Sequence, residues 1–239
     1  MAVGLGSWEL SYLFSAGGSR NIVFLHGMGS TGNAFLRLAR LFGEEYTLYL
    51  LDLLGHGRSS KPDIRYTIDE QASAVHSFIS DLGISEPAVV GNSYGGWIAM
   101  RYFLKYRPPG NLVVISSAGI LPPAEETPDR KAFIERVISS SIFNVRPVIE
   151  RMLETNRAEK RVDRSDFSEY APPTLIIWGD SDQVIPVDAA YALKSMIPGS
   201  QLVVVRGGGH TVHYTNPDQV HDAIERFLTG SGFTPEKIP

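Results

Sequence analysis

The chain has no cysteine in 239 residues, which excludes disulfides, thiolate metal sites and a cysteine nucleophile. No apolar run approaches the roughly 20 residues that a membrane-spanning helix needs. The net charge is −4 and no long basic run occurs, so the electrostatic footprint of a nucleic-acid binder is missing. Met1 to Leu10 lacks both a basic stretch and an apolar core, so no export signal is expected and a cytoplasmic location is. Internal repeats and low-complexity tracts are absent too. What is present is ordinary: 43% hydrophobic and 20% charged residues, enough for one large core with at most a modest insertion.

Strand-like and helix-like segments alternate along the chain. Trp8 to Phe14, Asn21 to Leu25, Tyr46 to Leu51, Leu112 to Ile115, Thr174 to Trp178 and Gln201 to Val205 read as strands. Phe35 to Phe42, Ile68 to Leu82, Asp188 to Met196 and Gln219 to Leu228 carry helical spacing, with Gly83 as a stop for the second. Apolar runs alternating with helices predict a mostly parallel sheet covered by helices on both faces, an α/β fold. Residues 122–170 break the rhythm: Pro122-Pro123 opens the segment, Pro172-Pro173 follows it, and it holds mixed charge and helical patterns only. We read 1–121 and 171–239 as the core and 122–170 as a helical cap over the sheet's C-terminal edge. The tail from Gly230 to Pro239 is expected to be loosely ordered.

Gly91-Asn92-Ser93-Tyr94-Gly95 follows the apolar run Pro87 to Val90 and precedes a helical pattern from Gly96. With 23 glycines, composition alone yields on the order of 0.2 chance matches to G-x-S-x-G, so the flanking strand and helix give the motif its weight. The turn strains the serine backbone, and the glycines admit neighbouring chain without a Cβ clash. An ordinary turn serine is the competing reading. A serine nucleophile also needs a base, an orienting carboxylate and an oxyanion hole. Two later strands run into suitable loops: Asp180-Ser181-Asp182 after Gly179, and Gly207-Gly208-Gly209-His210 after Arg206. The order Ser…Asp…His suits a nucleophile elbow.

His26-Gly27-Met28-Gly29 resembles the HGxG loop, and Asp52 to Ser59 the D-x-x-G-x-G-x-S loop, of the α/β-hydrolase superfamily. With the serine motif, a G-x-x-D-x-x-x-P segment ending at Pro186 and a histidine after the final strand, the chain resembles that superfamily over nearly its whole length. The resemblance implies Ser93 as nucleophile, His210 as base and Asp182 as its orienting acid. It further implies the backbone N–H groups of Met28 and Tyr94 as the oxyanion hole, with no cofactor and no metal. Asp180 stays open as an alternative acid and His213 as an alternative base. His26, His56 and Asp52 read as structural, bonded to nearby backbone, and Trp97 and Phe103 as core.

Serine at 93 argues against the dehalogenase and epoxide hydrolase branches, which resemble this chain elsewhere but use aspartate there. The expected activity is a carboxylesterase for small to medium apolar acyl groups, its partner a small-molecule ester. Phe133, Val137, Ile138, Phe143 and Val148 of the insertion are candidates for the pocket wall. A carbon–carbon hydrolase of the meta-cleavage type is the alternative, because the Gly91-Asn92-Ser93 form of the elbow resembles members of that group. Arg130, Arg136, Arg146, Arg151 and Arg157 would then be available for a substrate carboxylate, unless they pair with Glu135, Glu150 and Glu154. Lactonase, perhydrolase and slow-turnover receptor roles remain open on the same triad, as does the choice between monomer and homodimer.

Overall fold

The computed structural model describes residues 1–5, 8–122 and 128–231. The strands are β1 (Ala2–Leu5), β2 (Trp8–Ser15), β3 (Arg20–Leu25), β4 (Tyr46–Leu51), β5 (Ala88–Asn92), β6 (Asn111–Ile115), β7 (Thr174–Gly179) and β8 (Gln201–Val205). The helices are α1 (Leu36–Ala39), α2 (Ile68–Asp81), α3 (Tyr94–Tyr106), α4 (Pro128–Ser139), α5 (Arg146–Ala158), α6 (Asp188–Met196), α7 (Val212–Thr215) and α8 (Pro217–Thr229). One eight-stranded sheet runs in the order β1-β2-β4-β3-β5-β6-β7-β8. Only the β1–β2 and β2–β4 pairings are antiparallel. The turn at Ala16 to Ser19 therefore does not close a hairpin, because β4 lies between β2 and β3.

Side chains two apart on a strand share a face, and the central strands use both faces for burial. Val23 and Leu25 of β3, Val89 of β5, Val114 of β6 and Trp178 of β7 join one core, completed by Phe78 of α2, Phe103 of α3 and Leu193 of α6. Their neighbours Ile22, Phe24, Val90, Ile115 and Ile177 join the other, completed by Leu38 of α1, Val212 of α7 and Ile224 of α8. Burial on both faces is why these strands read as continuous apolar runs rather than alternating ones. Trp97 and Phe103 lie in the core, as expected. A capping box starts α2: Thr67 Oγ1 accepts from Glu70 N–H at 3.1 Å and Glu70 Oε2 accepts from Thr67 N–H at 2.7 Å.

The chain leaves β3 for β4 on one side and resumes at β5 on the other. Loops after β3 and β5 consequently diverge, and such a reversal in strand order opens a crevice at the C-terminal sheet edge. The segment between β6 and β7 supplies α4, α5 and a turn of 3-10 helix at Arg164–Phe167. It packs on the loops after β3 and β4: Met152 and Val148 lie against Gly55, and Val137 against Gly29. At the far end Gly230 caps α8 in the left-handed conformation and Ser231 N–H donates to Arg226 O at 3.1 Å. The remainder of the tail, 232–239, lies outside the described residues.

Candidate active site

Ser93 occupies the sharp turn between β5 and α3 with φ 52° and ψ −113°. A non-glycine residue in this region carries strain on the order of 1–3 kcal/mol, held only where surroundings over-determine it. Here its N–H donates to Ile115 O at 3.0 Å, and its carbonyl accepts from Ala118 N–H at 3.0 Å and Gly96 N–H at 3.1 Å. The flanking glycines are steric requirements. A Cβ at Gly91 would lie 2.3 Å from Gly95 O, and one at Gly95 would lie 2.1 Å from Leu25 O. Ser93 is partly exposed, and Tyr94 opens α3, so its N–H is a first-turn amide with no carbonyl one turn back.

Two further loops meet beside the elbow. The chain after β7 passes so close to that after β8 that a Cβ on Gly179 would sit 2.1 Å from Gly208 O. Ser181 N–H donates to Gly208 O at 2.9 Å, which locks the two loops together. Across this contact Asp182 Oδ2 accepts from His210 Nδ1 at 2.9 Å. Asp182 Oδ1 accepts from Val184 N–H at 2.8 Å and Ile185 N–H at 3.0 Å. The Asp182 side chain is wholly buried and that of His210 is 17% exposed. Burial alone would push the Asp182 carboxyl up, but His210 and the two amides outweigh it and hold it below the usual aspartate range. An ionised Asp182 keeps the imidazole proton on Nδ1 and leaves Nε2 as the free acceptor.

The loop after β3 completes the group. A Cβ on Gly27 would fall 3.4 Å from Ser93 Cβ, so this loop borders the serine directly. His26 Nε2 accepts from Leu53 N–H at 3.0 Å, which puts the proton on Nδ1, where it is donated to Gly27 O at 2.8 Å. Burial pushes His26 down to about 4, so it is a neutral backbone clamp. His56 is fully buried, its ring 5.0 Å from that of His26, and burial holds it well below the usual histidine range. Asp52 Oδ2 accepts from Arg58 N–H at 3.0 Å, shaping its own loop, and Oδ1 accepts from Gly32 N–H at 2.8 Å, tying that loop to the segment after β3. Among the described residues no cluster of three or more His, Asp or Glu could hold a metal ion.

The structure thus brings Asp182 and His210 together and sets Ser93, Tyr94 and Met28 on the adjoining loops. It separates the alternatives from them. Asp180 is exposed and accepts from Gly207 N–H at 2.7 Å and Ser181 Oγ at 3.0 Å. His213 is buried on α7 with its ring 4.6 Å from that of Phe35. Of the arginines in the insertion, Arg146 pairs with Glu135 at 2.6 Å and Glu150 at 3.2 Å, and Arg151 with Asp63. The side chains of Phe133 and Arg130 lie outside the described residues. One contributor escaped the sequence reading: Asn92 Nδ2 donates to Ile115 O at 3.1 Å and to His210 O at 3.3 Å, tying the elbow to the histidine loop. Its signal was a polar residue ending an apolar strand, since a buried amide must find partners.

Known proteins share this fold. A model of the alpha/beta hydrolase family matches residues 22–223. Lipase 1 of Psychrobacter immobilis is 27% identical, with 86% of this chain and 76% of that protein covered. The 2-hydroxy-6-oxo-6-(2'-aminophenyl)hexa-2,4-dienoic acid hydrolase of Metapseudomonas resinovorans is 24% identical, over 95% of this chain and 90% of the other. An esterase structure from Exiguobacterium antarcticum superposes with a TM-score of 0.82 at 21% identity, covering 94% of this chain and 97% of that one. Because the family match takes in every strand from β4 to β8 and all four loops of the site, the chain belongs to the alpha/beta hydrolase family.

Proposed function

We propose that this chain is a serine hydrolase that cleaves carboxylic esters of small to medium apolar acyl groups through an acyl-enzyme. One observation carries the reading. Asp182 and His210 are bonded at 2.9 Å across two loops, and Asn92 ties the His210 loop to the strained Ser93 elbow. In this mechanism Ser93 Oγ attacks the acyl carbon while His210 Nε2 takes its proton. The oxyanion forms toward the N–H groups of Met28 and Tyr94, each donor of this kind being worth roughly 3–4 kcal/mol of barrier. Collapse expels the alcohol, which receives the proton from His210. Water then attacks the acyl-enzyme as His210 takes its proton, and His210 passes that proton to Ser93 Oγ as the carboxylic acid leaves. Asp182 stabilises the imidazolium at both stages.

The lipase relatives support ester chemistry, and the dienoic acid hydrolase relative supports carbon–carbon cleavage on the same triad. The ester reading is preferred on the arginines. A dienoate substrate calls for a cationic partner to its carboxylate, and two of the five arginines offered for it, Arg146 and Arg151, are already paired with glutamate and aspartate. The insertion, read as a cap, would size the acyl group through Val137 and Val148, which rest on Gly29 and Gly55. The test is hydrolysis of p-nitrophenyl esters from acetate to laurate by wild type and Ser93→Ala. Turnover that vanishes in the variant supports the proposal, and its chain-length optimum sizes the pocket. A wild type that leaves these esters intact but cleaves a dienone carbon–carbon bond would replace it.

A further inference from the structure

The turn between α4 and α5 reaches across to the loop after β3. Asn144 Nδ2 donates to Gly29 O at 2.8 Å, and the one Ser140 Oγ proton is shared between the same oxygen at 3.0 Å and Val137 O at 2.7 Å. The approach is close: Gly29 has φ +73°, and a Cβ there would lie 2.5 Å from Val137 Cγ1. Gly29 O belongs to the Gly29–Ser30 peptide, whose N–H donates to Gly27 O at 3.1 Å. Gly27 O belongs in turn to the Gly27–Met28 peptide, whose N–H is the oxyanion donor of the mechanism above. His26 Nδ1–H, with its tautomer set by Leu53, adds a second donor to Gly27 O at 2.8 Å.

A trans peptide is planar, with its C=O and N–H pointing opposite ways. A donor on the carbonyl therefore orients the plane and withdraws electron density from the N–H. Hydrogen bonds in series strengthen one another by about 10–30% per bond. Two consecutive peptide groups thus form a relay from the insertion to the oxyanion loop, fed at its outer end by two side-chain donors. We propose that Asn144 and Ser140 are positioning residues that aim and polarise the Met28 N–H, so that seating of the insertion and completion of the oxyanion hole are one event. The inference rests on the serine hydrolase reading and adds a source of control to it.

The experiment uses the full chain with Ser140→Ala, Asn144→Leu and the double variant. Four quantities are read: kcat and KM for p-nitrophenyl butyrate, inhibition by butylboronic acid, and inhibition by butanol. The boronate forms a tetrahedral serine adduct that needs the oxyanion hole, and butanol does not. Full loss of one donor costs roughly 10²–10³-fold, so a weakened and misaimed donor is expected to cost about tenfold in kcat in the double variant. Boronate affinity falls by a similar factor, while KM and butanol inhibition stay within about twofold. Ser140→Ala alone, which removes the smaller group, lowers kcat by about threefold.

Asn144 Nδ2 also donates to Val137 O at 3.0 Å and Ile138 O at 3.3 Å, so its loss also uncaps α4. Were that the whole effect, butanol and boronate would weaken together and KM would rise, and this result overturns the relay. Unchanged kcat and boronate affinity overturn it as well. Fluorophosphonate labelling of wild type that is lost in Ser93→Ala upholds the underlying reading independently. Unlabelled wild type overturns both.

Discussion

Replacing Asp182 by Asn tests the proposed mechanism at its most buried point. The change keeps the shape, and the new amide oxygen can still accept from Val184 and Ile185 N–H, which lie at 2.8 and 3.0 Å from Oδ1. The NH2 then takes the place of Oδ2, 2.9 Å from His210 Nδ1. Two donors cannot face each other, so the imidazole proton moves to Nε2. The nitrogen that should accept from Ser93 becomes a donor, and the imidazolium formed in the reaction loses its counter-charge. In the serine-protease template this substitution costs about 10⁴-fold in kcat. With a side chain that is wholly buried and no second carboxylate on His210 among the described residues, we expect a loss of roughly 10³–10⁴-fold here, or about 4–5.5 kcal/mol of barrier. Asp180→Asn is the matched control, exposed and bonded to Gly207 and Ser181, and is expected to stay within about threefold. The assay is kcat/KM for p-nitrophenyl butyrate between pH 6 and 9, with melting curves to establish that both variants fold. Asp182→Asn within tenfold of wild type, or Asp180→Asn as impaired as it, would refute the assignment.

Two further outcomes follow from the same geometry. Burial pushes His213 down to about 3, and its Nδ1 has no partner among the described residues. The unfolded chain therefore binds the extra proton first, and stability drains as pH falls from about 6.5, on the order of 3 kcal/mol by pH 4. His213→Phe, against the Phe35 ring 4.6 Å away, should flatten the melting temperature between pH 7 and 4, with His26 sustaining part of the slope. An unaltered slope would contradict the idea. Asn92→Ala removes the bonds to Ile115 O and His210 O, so a loss of about 1–2 kcal/mol in stability is expected in urea titration. Turnover should also fall, by about ten- to a hundredfold, and unchanged kcat would show that the two loops hold their places without it.

What could be read from the sequence was whatever short-range sterics and pattern dictate. Tyr46 to Leu51, Gln201 to Val205 and Asp188 to Met196 lie where the apolar pattern puts them, because doubly buried strands and amphipathic helices write their burial into neighbouring residues. The elbow was legible for a similar reason. Its glycines are demanded by contacts within a few residues or with the adjacent strand, such as Gly91 against Gly95 O. The edge strand β1 was not legible. Four residues, Ala2-Val3-Gly4-Leu5, are too few to show a strand period, and they become a strand by pairing antiparallel with the free edge of Trp8–Ser15.

The family resemblance named Asp182 and His210, but only the tertiary structure decided the contacts by which residues of the site meet. Asp180 and Asp182 are two positions apart on one loop, and only the crossing of the β7 and β8 loops gives His210 to the second. Asn92 and His210 are 118 residues apart, and Asn144 and Gly29 are 115. Bonds of that span depend on strand order and on where the insertion lands, which are set by the packing of the whole chain, so local sequence marks at most a polar residue in need of a partner and never names the partner.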